Sequence, residues 1–420
     1  MTIATPLGPE MVLVADELIT PTHTLRPGWI RLSGRRIDAV GTGTHPPPDA
    51  AAGGSHGHVT RMPTGWRIIP GLVDMHVHGA GGWDMSAPDR RQIVEGASAL
   101  LRAGVTTTVV TLITAPVAEL EASADLVAGL MSDPSPELPR FAGTHFEGPF
   151  LSHKYRGAHH VPSLQLPDRT VLTRLLEAGR GTVRMCTLAP ELPGGPEIVR
   201  LLVDRGVIAA MGHTGASLDQ TRQAIEQGVT VGTHLFNGMR RPHHREPGPA
   251  FTLLDDESVT VELINDGLHV HPTAARIASR ASAEGRLALI SDAVAATNAP
   301  EGHYKLGRVD IRNHGGSVQT ADGMSLGGGN VTLDGALRRA VTELGMTLQQ
   351  AVTAATWVPA NALGVSQIAG ELVTGRDADL CVLDSELRVA GVMRAGRWLS
   401  DPDISLAVTS SVTPEQERDR

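Results

Sequence analysis

Cysteine is nearly absent: Cys186 and Cys381 are the only two in 420 residues. Two thiols alone set no disulfide framework and fit a reducing compartment. The opening stretch MTIATPLGPEMVLVADELIT lacks the basic start and apolar run of a secretory leader. No segment approaches the roughly 18 apolar residues that a membrane helix needs. Positive charge is also short, with 36 Lys+Arg against 45 Asp+Glu and a net charge of −9. General nucleic-acid binders present a basic face, so that class is disfavoured. These absences predict a cytoplasmic protein whose partners include neither nucleic acid nor membrane. They leave room for a small anionic substrate, because a local basic cluster can set the field in one cleft. Arg240-Arg241-Pro242-His243-His244-Arg245 is such a cluster, and by itself reads as a solvated loop.

What is present is a long alternation of two periods. Residues 10–60 carry short β-like runs, Met11–Val14, Trp29–Leu32 and Arg36–Val40, followed by a Pro/Gly/His loop at Pro46–Gly57. From Trp66 onward, apolar runs of strand length alternate with segments at helical spacing, the pattern of repeated βα units. The expected strands are Ile68–His78, Thr106–Thr114, Arg140–Gly148, Thr182–Glu191, Val207–Gly215, Thr230–Asn237, Val259–Val270 and Arg286–Val294. Helical pieces fall between most of them, at Asp89–Ala103, Val117–Met131, Asp168–Gly179 and Ser217–Gln227. Two more follow at Leu333–Glu343 and Leu348–Leu363. Eight such strands predict an α/β fold with a closed (β/α)8 TIM-like barrel. Further β-like runs at Asp379–Leu383 and Arg388–Arg394 let the N- and C-terminal segments pair as a small β-sandwich. The expected division is 1–66 and 369–410 for that companion, 67–368 for the barrel, and 411–420 for a polar tail.

The chemistry is positional. Metal-type ligands recur near the C-terminal ends of different strands: His76 and His78 on the first, His145 and Glu147 on the third, His213 on the fifth, His234 on the sixth. Asp266 and His269 follow on the seventh and Asp292 on the eighth. In a barrel those ends converge on one mouth, where such folds build active sites. His76 and His78 are two apart, so on a strand they share a face and can hold one ion. Imidazole and carboxylate donors suit zinc or a similar divalent transition ion. Glu147 in an apolar strand needs compensation, from a metal or from a barrel arginine. Asp292 suits a base that takes a proton from water and returns it to a leaving amine. The glycine runs Gly79–Gly82 and Gly327–Gly329 match neither a Rossmann nor a Walker spacing and read as loops. Cys186 reads as a small core residue.

Taken together these motifs resemble the amidohydrolase superfamily and, within it, the N-acetylglucosamine-6-phosphate deacetylases. The segments that carry the resemblance are PGLVDMHVHG at 70–79, HFEGPFL at 145–151, GAH at 157–159 and GHT at 212–214. They continue with THLFNGM at 233–239, REPG at 245–248, DGLHV at 266–270, SDA at 291–293, PANALG at 359–364 and GRDADL at 375–380. The resemblance spans nearly the whole chain in order. It implies that Glu147, His213 and His234 hold one divalent metal, with zinc expected and iron, cobalt, manganese or cadmium as alternatives. It makes Asp292 the general base and then acid. His159 and His269 would contact the sugar or its acetyl carbonyl. Asn237, the Gly238 backbone and Arg245 would bind phosphate, with Arg245 reaching in from the second subunit of a homodimer. Ala158 and Leu326-Gly327-Gly328 would line the substrate site. Family members carry one ion or two, and retention of His76 and His78 predicts capacity for two, with Glu147 bridging.

The implied reaction is hydrolysis of the acetamide of N-acetyl-D-glucosamine 6-phosphate to D-glucosamine 6-phosphate and acetate, in amino-sugar catabolism. The galactosamine epimer is the near alternative, and a non-catalytic sugar-phosphate binder is the alternative from another class. Cyclic amidases, which commonly bridge their metals with a carboxylated lysine, fit less well. A glutamate stands on the third strand here, and Lys154 and Lys305 lie on no expected strand.

Overall fold

The computed structural model describes residues 10–44, 58–282 and 285–400. The loop expected at Pro46–Gly57 and the tail at 411–420 lie outside these. Eight parallel strands form one sheet in chain order: Leu72–Asp74, Val105–Ile113, Arg140–Glu147, Val183–Leu188, Ile208–Met211, Val229–Gly232, Thr260–Ile264 and Leu287–Ile290. The second strand, VTTTVVTLI, is buried along its whole length. β-Branched residues pack well on such a two-sided surface. The sheet ends meet just past the first and eighth strands, where Asp292 N donates to His76 O at 3.0 Å and His78 N to Ala293 O at 2.8 Å. Here the Ser291 hydroxyl donates to the buried Asp74 carboxylate at 2.5 Å.

The crossover helices start where short polar side chains replace missing backbone partners. Asp89 caps Arg90–Arg102, Asp168 caps Arg169–Ala178, and Ser217 with Gln220 forms a capping box on Leu218–Glu226. The helix expected over Leu348–Leu363 is two, Leu348–Ala355 and Trp357–Ala362, broken at Thr356 with φ −134°. Pro359 has no N–H to offer the Ala355 carbonyl and its ring clashes with it, so the first helix cannot run on.

The first expected strand also divides. Arg67–Pro70 leaves the barrel and pairs with Leu380–Leu383 on one side and Glu17–Leu18 on the other. Only Leu72–Asp74 enters the barrel sheet. Between them Gly71 presses on the second strand: a Cβ there would stand 2.1 Å from Thr106 Oγ1. The terminal segments build a four-stranded and a six-stranded sheet. Leu13, Leu18, Ile30, Leu32, Ile68, Leu380, Val382 and Met393 fill the space between them.

A three-stranded antiparallel sheet follows the eighth barrel strand: Gly302–Leu306, Val309–His314 and Ser317–Thr320. Leu306, Ile311 and Val318 turn inward onto Ile113, Val294 and Ala296 at the barrel rim. Its first turn is tied down at Gly307, whose N–H donates to Asp84 Oδ2 at 2.7 Å, and at Arg308, which pairs with Glu119. Lys305 lies on this outer sheet, contrary to the expectation of no strand. It is exposed and paired with Asp310, far from a bridging role. Among the described residues no helix is long and apolar enough to cross a membrane.

Candidate active site

Four strands deliver a polar residue two positions past their last strand residue. His76 follows Asp74, His213 follows Met211, His234 follows Gly232, and Asp292 follows Ile290. Three of them take left-handed backbone: His213 at φ 46°, His234 at 29° and Asp292 at 48°. Each such residue costs about 1–3 kcal/mol, a strain that persists where the surroundings over-determine it. His76 and His78 are not on a strand, so alternation does not bring them together. The loop after Asp74 does. Glu147 closes the third strand at its last residue.

The side chains converge on Glu147. Its Oε1 lies 2.9 Å from His234 Nε2, 3.1 Å from His213 Nε2 and 3.5 Å from His76 Nε2. Its Oε2 lies 3.2 Å from His78 Nε2 and 3.3 Å from His159 Nε2. Asp292 Oδ1 stands 3.4 Å from His78 Nε2 and 3.5 Å from His76 Nε2. All seven residues are buried. His145, grouped with them by its strand-end position, points elsewhere: it bonds Thr187 Oγ1 at 2.8 Å and Thr111 Oγ1 at 3.1 Å. Burial, with the neighbouring His76, pushes its imidazole well below the ordinary value.

The ring orientations fit a cation. His213 Nδ1 lies 2.8 Å from the Tyr155 carbonyl and His78 Nδ1 3.1 Å from the Thr111 carbonyl, which fixes a proton on each Nδ1. His76 Nδ1 meets Glu262 Oε2 at 3.0 Å. The Thr114 hydroxyl donates to the Glu147 carbonyl at 3.1 Å, so the His159 Nδ1 that sits 2.9 Å from it carries the proton there too. Each Nε2 then presents a lone pair inward, as metal-ligating imidazoles do. Without a cation, the lone pairs of His213 Nε2 and His159 Nε2 face each other at 3.2 Å, and His234 Nε2 lies 3.1 Å from His213 Nε2. His76 Nε2 is buried with no hydrogen-bond partner. Among the described residues, three groupings have ligand atoms within 4.8 Å of one another: His76, His78 and Asp292; His76, Glu147 and His234; Glu147, His159 and His213.

The electrostatics run the same way. Burial works against charge on His78, but hydrogen bonds and charges of Asp292 and Glu147 push it up to about 9. Burial would raise Glu147, yet the imidazoles of His159, His76 and His213 around it hold it well below the usual carboxylate range, protons on those rings standing in for a cation. Asp292 is likewise lowered against its burial, by His78 and His76. His159, with burial dominant, falls to about 4. The cluster attracts positive charge.

A cleft of about 240 Å³ opens above it. His78, Glu147, His159, His213, His234 and Asp292 form its floor, while Ala158, Asn237, Gly238, His269, Leu326, Gly327 and Gly328 line its walls. Gly238 packs so closely that a Cβ would stand 2.6 Å from His213 Nδ1, at φ 58°, and it borders the cleft. His269 is held by Asp266, Nδ1 to Oδ2 at 2.7 Å. Arg245 is exposed and lies outside this cleft. Sequence reasoning missed Ile113 and Leu306, which close the apolar side, and Thr114 and Glu262, which orient the imidazoles. Glu262 carries the same signal as Glu147, a lone acid in an apolar strand. The Tyr155 and Thr111 carbonyls carry none.

An eight-stranded parallel barrel with imidazoles and carboxylates gathered at the C-terminal rim defines a metal-dependent hydrolase. The amidohydrolase family profile matches residues 67–399, and the chain belongs to the amidohydrolase family. It is 34% identical over 335 residues to an N-acetylgalactosamine-6-phosphate deacetylase of Escherichia coli O157:H7, covering 79% of this chain and 88% of that one. It is 36% identical over 347 residues to the N-acetylglucosamine-6-phosphate deacetylase of Danio rerio, covering 79% and 83%. A mutant N-acetyl-D-glucosamine-6-phosphate deacetylase from Mycobacterium smegmatis, solved with N-acetyl-D-glucosamine-6-phosphate, superposes with TM-score 0.86 at 40% identity, covering 93% of this chain and 99% of that one.

Proposed function

We propose that this chain hydrolyses the acetamide of N-acetyl-D-glucosamine 6-phosphate to D-glucosamine 6-phosphate and acetate, in amino-sugar catabolism. The observation that carries the reading is the placement of Asp292 beside the Glu147-centred imidazoles on the floor of a cleft walled by Asn237, Gly238 and His269. Glu147, His213 and His234 would hold a divalent ion, zinc being the first candidate, and His76 and His78 a second. A divalent ion bound there lowers the pKa of water toward neutrality and polarises a carbonyl.

The remaining work belongs to side chains. Asp292 accepts a proton from the attacking water and delivers it to the nitrogen as the C–N bond breaks. His159 contacts the acetamide and His269 the sugar. Asn237 and the Gly238 backbone take the phosphate, joined by Arg245 of a second copy in a homodimer, since Arg245 is exposed and away from its own cleft. Arginine and backbone N–H donors suit a phosphate dianion. In this reading the hydrolase barrel begins at Leu72 and not at 67, and Arg67–Pro70 joins the described terminal segments in its β companion.

Acetate release from N-acetylglucosamine 6-phosphate, its galactosamine epimer and unphosphorylated N-acetylglucosamine tests the proposal. Remote phosphate binding positions the amide, so the unphosphorylated sugar should react poorly. Equal turnover with and without phosphate would refute it. The E. coli relative named for the galactosamine epimer supports a second reading, and faster turnover of that epimer would establish it. Asp292→Asn should lose turnover by about 100-fold or more, whereas a sugar-phosphate binder would be indifferent.

A further inference from the structure

Glu262 stands on the seventh barrel strand, fully buried, on the Nδ1 side of His76 and away from the cleft. Its Oε2 takes the His76 Nδ1–H at 3.0 Å and the His234 backbone N–H at 3.1 Å. Its Oε1 has no hydrogen-bond partner. Among the described residues no arginine or lysine pairs with it; its only ion-pair contact is His76. A carboxylate buried with so little compensation is expensive. A fold would not keep it for pinning one amide, which a neutral side chain does as well.

We propose that Glu262 is the positioning residue that turns the His76, His78 and Asp292 end of the cluster into a second divalent-cation site. The inference rests on the metal reading above. By holding the proton on His76 Nδ1, Glu262 leaves the lone pair on Nε2, the atom that lies 3.5 Å from both Glu147 Oε1 and Asp292 Oδ1 and has no partner of its own. It also adds negative charge behind the ring, raising the basicity of the ligand it orients. The same oxygen anchors the His234 backbone, so both halves of the cluster are fixed to one carboxylate. His213 and His78 are oriented by neutral carbonyls instead, so His76 depends on a charged partner where they do not.

The test counts ions. Metal-stripped wild type, Glu262→Gln, Glu262→Asp and His76→Asn proteins are titrated with Zn²⁺ in equilibrium dialysis, with thermal unfolding of each stripped protein to verify folding. Wild type should take two ions. Glu262→Gln should bind the first as wild type does and the second at least about tenfold more weakly, with Glu262→Asp in between. Adding Glu262→Gln to His76→Asn should change nothing further, because the effect runs through His76. Wild-type affinity for both ions in Glu262→Gln would overturn the proposal, as would loss of both ions in a folded variant. If wild type takes one ion and His76→Asn still takes it, the two-ion reading falls and this inference with it. The deacetylase reading is judged separately, by acetate release.

Discussion

Ser291 donates its hydroxyl to Asp74 at 2.5 Å, joining the eighth barrel strand to the first. Both residues are fully buried, and each lies one or two positions from a cluster residue, Asp292 and His76. Ser291→Ala leaves the Asp74 carboxylate with two longer contacts, the N–H groups of Ser291 at 3.3 Å and His76 at 3.4 Å. Stability should fall by about 1–3 kcal/mol, the cost of stranding a buried acceptor. Denaturant unfolding measures it, and turnover should drop in the same variant because Asp292 hangs from the loosened seam. No change in either would refute the idea that this bond closes the barrel.

The Asp266–His269 pair predicts a pH window. Burial opposes charge on Asp266, yet the hydrogen bond and charge of His269, with backbone N–H groups, hold its carboxyl at about 2. His269 is raised in turn, against its burial, by Asp266 and by the charge of Asp292. A carboxyl held low stabilises the fold above its ordinary value and loses that contribution as pH falls toward 2. An imidazole held high stabilises below its ordinary value and loses that contribution as pH rises through the raised one. The stability difference between wild type and Asp266→Asn should therefore be largest between about pH 4 and 6.5. Unfolding titrations across pH measure it; a difference independent of pH would contradict the pairing.

The outer sheet should govern substrate affinity more than turnover. It brings Leu306 into the cleft wall and is held at Gly307 by Asp84 and at Arg308 by Glu119. Asp84→Ala removes the acceptor at the turn and should raise KM severalfold with a smaller effect on kcat. Glu119→Ala, which removes only an exposed ion pair, should cost less. Steady-state kinetics separates the two, and a pure kcat effect would place Asp84 in the chemistry instead.

Both thiols should be silent in the native protein. Burial pushes Cys186 and Cys381 up to about 12, and neither is exposed. A chromogenic disulfide reagent should titrate no thiol in buffer and two after denaturation. Rapid native labelling would show that the barrel opens at Cys186 or the companion sheet at Cys381.

The barrel was legible because its signals are periodic. Every expected barrel strand overlaps an observed one, and the expected helices that begin at Asp89, Asp168 and Ser217 are capped by those residues. What escaped depended on distant packing. Nothing local in Ile68–His78 says that Arg67–Pro70 pairs with residues three hundred positions on. The outer sheet, Gly302–Thr320, mixes turn residues with short alternation and finds its partners only at the barrel rim. At the site, residue types at strand ends revealed the cluster, but a carbonyl such as Tyr155 O orients His213 through a backbone atom common to every residue. His145 shows the converse: a histidine of the right kind, two positions before Glu147, turned into a threonine network.

Arg67–Pro70 lies between Glu17–Leu18 and Leu380–Leu383, immediately ahead of the first barrel strand. During synthesis that strand emerges with one neighbour already made and the other still hundreds of residues away. One edge of it must wait, unpaired, until the entire barrel has left the ribosome. Completion of the six-stranded sheet is thus a late event, and a nascent chain halted before Leu380 would carry an open, apolar strand edge that invites aggregation.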